Sequence, residues 1–280
     1  MGLVEGVYHF VEMDRRTGTE RLADRFGSAA GSNVSLESVK ELPIIGGVLR
    51  NVELTTVLEN KIAELKQQLF TMAGIVEEMI SNSIKALVNK DPALVAQVVG
   101  PDEDRVNRLE IENEDAAINL VALYQPEASN LRLVAMVIKI NNDLERLGDH
   151  AVNIAEAAEF LMSRPAVKPL VDIPKMADYA IAMLKDSLDA FTRNDAELAR
   201  SVCGRDTIVD DLNDAVKQDL ARVMSADPAT IDRALKLMMV SLNLERIADL
   251  ATNVAEDVIY IATGQVIKHH CKDETQNPDH

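Results

Sequence analysis

Tryptophan is missing from this 280-residue chain, and the aromatic residues together reach only 3%. Any core must be built from the Leu, Ile, Val, Ala and Met that dominate a hydrophobic content of 47%. Such an aliphatic mixture favours helices over sheets. Cysteine is nearly absent: Cys203 and Cys271 stand far apart with no CxxC spacing, which excludes a disulfide framework or a thiolate zinc site. They read as free thiols in a reducing cytosol, without the setting of a catalytic cysteine. Positive charge is scarce as well, with 29 Lys and Arg against 46 Asp and Glu and a net charge of -17. That balance repels nucleic-acid phosphates and anionic lipid, and leaves cations and basic protein patches as the partners to expect. No apolar run attains the ~18 to 20 residues of a membrane span. Arg132 and Lys139 interrupt the most apolar helix, and Glu5, Glu12 and Asp14 deny the N-terminus the pattern of a secretory leader. The expected location is cytoplasmic, with no membrane insertion.

Glycine is rare beyond the first fifty residues, since Gly2, Gly6, Gly18, Gly27, Gly31, Gly46 and Gly47 are more than half of the chain's 12. Residues 1–51 lack a sustained helical period and end in the loop-like run from Leu42 to Gly47, so they are expected to form a poorly ordered extension. The change of character near Val52 suggests that native translation starts there rather than at Met1. Mass measurement of the protein from its own host tests this, and an intact Met1 would overturn it.

From Val52 onward the helix punctuation is clear. Asp91-Pro92 and Asp227-Pro228 each place a capping acid before a proline at the first helical position. Pro165, Pro169 and Pro174 cluster where a helix stops near Arg164. The spacing predicts helices over 55–90, 102–123, 127–163, 174–193, 205–224 and 228–262, with short turns beside the second and fifth. The expected organisation is a first three-helix bundle at 52–164, a linker at 165–173, a second bundle at 174–264 and a polar tail at 265–280. The fold class is therefore all-α, two tandem three-helix bundles.

A duplication supports this division. The run Asn142-Asp143-Leu144-Glu145-Arg146-Leu147-Gly148-Asp149 and its continuation to Glu156 returns at an offset of 100 residues as Leu242-Asn243-Leu244-Glu245-Arg246-Ile247-Ala248-Asp249, continuing to Glu256. Asn89 to Leu94 is echoed by Arg193 to Leu198, so a whole three-helix unit recurs. At 100 degrees per residue, Ile140, Leu144, Leu147, Ala151, Ile154 and Ala158 form one inward stripe, as do Leu244, Ile247, Ala251 and Val254. Glu145, Asp149 and Glu156, and likewise Glu245, Asp249 and Glu256, face away. The second helices carry matching rows at i, i+4 spacing, Glu103 with Asn107 and Asp206 with Asp210 and Asp214.

These rows admit two readings. A row of outward carboxylates is the ordinary wet side of an amphipathic helix, and like-charge i, i+4 pairs cost only about 0.2 to 0.5 kcal/mol each. Recurrence on two helices of both halves, with Asn142, Asn153 and Asn253 nearby, instead suits a site for hard cations such as Mg, Ca, Mn or iron, with zinc possible only opportunistically. His150 follows Asp149 and points about 100 degrees away from it, so it is not expected to be a ligand. His269, His270 and His280 lie in the polar tail and read as solvated. Arg146 and Arg246 stand beside the rows, where they can pair with the acids.

The two signatures at 142–156 and 242–256 resemble those of the PhoU family. Gln125 to Arg132 and Ala251 to Tyr260 also read like that family, and the resemblance covers about 52–270. It implies a cytoplasmic accessory protein of the phosphate-specific ABC transporter, a negative regulator of phosphate uptake and of the phosphate-starvation response. The implied partners are the transporter ATPase and a sensor histidine kinase, and the expected assembly is a homodimer. It also implies metal clusters on the outer faces, carried onto Glu145, Asp149, Glu245, Asp249, Asp206 and Asp210. The fourth copy, Glu103 with Asn107, is imperfect and implies a weaker site in the first bundle. No catalytic residue is expected. A carboxylate-bridged di-iron enzyme would need inward Glu and Glu-x-x-His motifs, which are missing. A helical adaptor without metal remains the alternative.

Overall fold

In the computed structural model, backbone is described for residues 43–267 and side chains for residues 54–267. The chain divides into two units, 1–59 and 60–280, and the packing below lies in the second. The described residues form helices and connecting turns with no strand among them. They are α1 (Pro43–Asn89), α2 (Pro92–Gln97), α3 (Glu103–Tyr124), α4 (Ala128–Met162), α5 (Asp172–Arg193), α6 (Ala196–Cys203), α7 (Asp206–Ala226) and α8 (Ile231–Thr263). The result is two tandem three-helix bundles, α1, α3 and α4 followed by α5, α7 and α8, with α2 and α6 as short helices before α3 and α7.

Capping chemistry sets these boundaries. Asp91 and Asp227 take extended backbone and accept from the amides of Ala93 and Ala229, and Asp195 does the same for Glu197 and Leu198. Asn194 and Gly264 close α5 and α8 in the left-handed region. Two expected helix starts need correction. The helix that was to start at 55 begins at Pro43, so Pro43 to Gly47 are helical rather than a loop; proline at the first position costs nothing there, because the first amides of a helix lack partners anyway. Residues 1–42, the remainder of the expected disordered extension, lie outside the described residues. α5 opens at Asp172 rather than at the expected 174, and Pro174 is tolerated in its first turn for the same reason. Between α2 and α3 the chain passes through a π-helical turn, Val98–Asp102, around Pro101, which supplies no amide to a tighter ladder.

The inward stripes are buried as their periodicity requires. Ile140, Leu144, Leu147, Ala151, Ile154 and Ala158 of α4 and Leu244, Ile247, Ala251 and Val254 of α8 are sealed from solvent. Buried polar bonds fix the register of the second helix on the third in each bundle. Asn113 donates to the Asn141 side-chain oxygen at 2.9 Å in the first, and Ser241 donates to that of Asn213 at 2.6 Å in the second. Both pairs obey the offset of 100, so the duplication holds through the second helices without a gap.

The bundles meet along α4 and α8. Arg132 donates to the Tyr260 carbonyl, Lys139 pairs with Asp257, His150 Nδ1 lies 2.8 Å from the Asn243 side-chain oxygen, and Lys236 stands over the Phe160 ring. Numbers fall along one helix as they rise along the other, so the two run antiparallel. Phe70 of α1 also meets Phe191 of α5, ring centres 5.8 Å apart.

One chemical expectation fails here. Cys203, wholly buried at the end of α6, is disulfide-bonded rather than a free thiol. The chain's only other cysteine, Cys271, lies outside the described residues.

Candidate functional site

The acidic rows occupy the outer grooves between α3 and α4 and between α7 and α8. On α4, Glu145 is half-buried and Asp149 exposed. Desolvation pushes the Glu145 carboxyl above the ordinary glutamate range, and the charges of Asp149 and Glu110 push it further. On α8, Glu245 is raised by desolvation first and then by Asp249 and Asp210, against a lowering from Arg246. Glu103 is raised by desolvation and by Asp149, Asp104 and Glu156. The carboxylates thus sense one another across each groove.

Register corrects the expected pairing of acids. Since Asn113 matches Asn213, Asp210 corresponds to Glu110 and Asp206 to Val106. Glu110 faces Glu145 as Asp210 faces Glu245. The second-helix row of the first bundle therefore includes Glu110 with Glu114, matching Asp210 with Asp214, and Asn107 is an exposed residue without a charge to add to it. Asp206, expected outward, is buried, because its register position is the core position held by Val106 in the first bundle. Matching the second helices by their first acids, Glu103 and Asp206, hides Glu110. Continuing the 100-residue offset back from the third helix would have found it.

An arginine already occupies part of the row in the second bundle. Arg146 reaches Asp143 at 3.1 Å, and Arg246 spans Glu245 at 3.5 Å and Asp249 at 3.3 Å. Among the described residues no group of three or more His, Cys, Asp or Glu side chains is placed to hold a metal ion. The acids share grooves and raise each other's affinity for protons, yet they do not form a ligand shell as they stand. In the first bundle the groove opens into a cavity of about 300 Å³ lined by Glu110, Glu114, Lys139, Asn141, Asn142 and Asp143. His150 is engaged with Asn243, away from the row.

The duplicated bundles find their counterpart in known proteins. The family model for the PhoU domain matches twice, over residues 69–158 and 173–258, one match on each bundle. The chain belongs to the PhoU family. Among PhoU relatives, the phosphate-specific transport system accessory protein PhoU homolog of Aquifex aeolicus is 40% identical over 218 residues, 78% of this chain and 98% of that protein. The PhoU accessory protein of Escherichia coli is 33% identical over 76% of this chain and 88% of its own length. The crystal structure of PhoU from Pseudomonas aeruginosa superposes with a TM-score of 0.72 at 33% identity, covering 74% of this chain and 99% of that one. These PhoU proteins carry the names of accessory proteins rather than of enzymes. No helix among the described residues is long and apolar enough to cross a membrane.

Proposed function

We propose that this chain regulates phosphate transport as a non-enzymatic accessory protein, restraining uptake and holding the phosphate-starvation response off when phosphate is plentiful. It does so as a homodimeric cytoplasmic adaptor, joining the transporter ATPase to a sensor histidine kinase. The observation that carries this reading is the family match on both bundles, with relatives named as accessory proteins of the phosphate-specific transport system. Two bundles with acidic outer grooves suit an adaptor, since they offer charged surfaces to partners. Deletion of the gene should leave phosphate-scavenging genes expressed in phosphate-rich medium. Normal repression in the deletion strain would remove the assignment and leave the fold untouched.

The second part of the proposal concerns cations. Glu145, Asp149 and Glu110 in one bundle, and Glu245, Asp249 and Asp210 in the other, offer hard oxygen donors, which suit iron, Mn, Mg or Ca better than zinc. A bound cation would offset the desolvation, and the added carboxylate repulsion, that raise Glu145 and Glu245. It would require these side chains to change rotamer on fixed helices, with Arg246 withdrawing. The metal-free adaptor reading is favoured by one specific observation, the bridging of Glu245 and Asp249 by Arg246. Elemental analysis after gentle purification, compared with a chelator-treated sample, separates the two. Absence of metal in both samples together with no rise in melting temperature on added cation leaves the adaptor alone.

A further inference from the structure

The outer side of α8 changes chemistry halfway along. Ile231, Leu235, Met239 and Leu242 are spaced by four, four and three residues and so form a single ridge. They are 40%, 49%, 42% and 42% exposed. The other sides of α8 are committed. Ser241 bonds Asn213 of α7, Asn243 and Asp257 meet His150 and Lys139 of α4, and Leu237, Val240 and Leu244 are buried in the core. Beyond Leu242 the same side continues as Glu245, Asp249, Asn253 and Glu256, with Asp210 close enough to Glu245 to raise its proton affinity. An apolar ridge about 16 Å long, at 1.5 Å per residue, thus runs straight into an acidic row.

The first bundle does not share this design. The positions equivalent to the ridge are Leu131, Ala135, Lys139 and Asn142, of which only Leu131 is both large and apolar. Lys139 is moreover drawn away to Asp257. The cations flanking the α8 ridge are also turned elsewhere. Arg233 donates to the carbonyls of Pro165 and Ala229, and Lys236 stands over Phe160. Asp232 adds another acid beside the first turn, and Arg246 is shared between Glu245 and Asp249.

We infer that this ridge docks an amphipathic basic helix of a partner protein, whose apolar side seats on Ile231, Leu235, Met239 and Leu242 and whose Lys or Arg residues reach Glu245 and Asp249. Charge selects this occupant. A second copy of the chain would bring its own charge of -17 to the same acids, and an anionic lipid surface would be repelled likewise. An apolar helix face flanked by basic residues satisfies both halves of the surface at once. The inference rests on the adaptor reading of the chain, to which it adds a place and a chemistry for one partner.

Titration of the full chain into a fluorescent Leu/Lys amphipathic helix of about 18 residues, a length of about five turns, tests it by anisotropy. A Ser/Lys helix of equal charge and a Leu/Glu helix serve as comparisons. The Leu/Lys peptide should bind at least about tenfold tighter than either, a difference of roughly 1.4 kcal/mol. Leu235→Ser with Leu242→Ser should abolish that advantage, Glu245→Gln with Asp249→Asn should weaken binding and flatten its salt dependence, and Leu131→Ser should change nothing. Ile231→Ser with Met239→Ser provides a second apolar variant should the first lose its helical circular dichroism. Equal binding of the Ser/Lys peptide, or unchanged binding by both apolar variants, overturns the inference. So does a sedimentation profile in which the parent is a dimer and the Leu235, Leu242 variant a monomer, since a second copy would then cover the ridge. Failure of the phosphate assignment reads out separately, in the deletion strain, and leaves the peptide titration to decide the ridge.

Discussion

At the scale of single residues, the acids of the outer grooves and the polar pairs of the core follow opposite rules. Glu145 and Glu245 carry proton affinities raised by partial burial and by neighbouring carboxylates. An acid whose folded form holds its proton more tightly than the unfolded chain does takes up more protons when folded, so its contribution to stability falls as pH rises from the ordinary carboxylate range toward neutrality. Glu145→Gln with Glu245→Gln should therefore gain stability relative to the parent as pH rises from about 4 to 7. Denaturant melts across that range check the sign, and a constant or shrinking difference would contradict the assigned shifts. Replacing Glu245 and Asp249 by Gln and Asn, and separately Glu145 and Asp149, tests cation binding. If ions bind, metal content should fall by a similar amount in each bundle, because Glu110 supplies to the first what Asp210 supplies to the second. If none bind, stability should hold or rise by a few tenths of a kcal/mol. In the core, Ser241→Ala removes the donor to the buried Asn213 and should cost about 1 to 3 kcal/mol by equilibrium unfolding, the cost of stranding a buried polar atom.

At the scale of the helix, two glycines illustrate how local backbone and packing decide together. Gly148 lies inside α4, where a methyl group would come within 3.4 Å of Val106 and 3.8 Å of the Met79 terminus. These are near-ordinary contacts, one of them with the end of a flexible chain, and the second bundle holds Ala248 at the equivalent position. Gly148→Ala should raise stability by about 0.5 to 1 kcal/mol through helix propensity. A loss of stability would show that Val106 cannot give way. Gly264 is different: it closes α8 at φ +76°, and a methyl group there would stand 2.7 Å from the Arg132 guanidinium. Gly264→Ala should lower the melting temperature, combining a strained left-handed residue with displacement of Arg132 from the Tyr260 carbonyl and ring.

For the whole molecule, the joint between the bundles is a place where charge is taken inside. Asp257 is buried, and the Lys139 ammonium reaches it from the other bundle. Removing one partner of such a pair costs more than the pair itself contributes, because the remaining charge stays out of water. Lys139→Met should destabilise by about 1 to 3 kcal/mol, less than for a fully buried pair because the Lys139 side chain is 41% exposed, whereas Lys139→Met combined with Asp257→Leu should recover much of that loss. Thermal melts of both variants check the pair, and a single variant as stable as the parent would show that Asp257 is satisfied without Lys139. Asp143, also buried at this joint, is raised by desolvation and by Asp257 while Arg146 and Lys139 lower it. Loss of Lys139 should accordingly raise its proton affinity further, and its titration followed by NMR reports the change.

The sequence by itself determined the helices, their inward stripes and the division into two like bundles. Each depends on short-range regularities: the 3.6-residue spacing of Leu144, Leu147, Ala151 and Ile154, the capping acids Asp91 and Asp227, and the direct repetition of 142–156 at 242–256. The outward direction of Glu145, Asp149 and Glu245 was legible for the same reason, since a helix fixes azimuth once its core stripe is known. What only the tertiary structure decided was register between helices. The burial of Asp206, the pairing of Glu110 rather than Asn107 with Glu145, and the engagement of Arg246 with two acids depend on how far one helix slides along another. That slide is set by buried bonds such as Asn113 to Asn141 and Asn213 to Ser241, which join residues 28 positions apart. Periodicity places a side chain around its own helix but says nothing of its height against a neighbour, and packing across the groove is what decides that height.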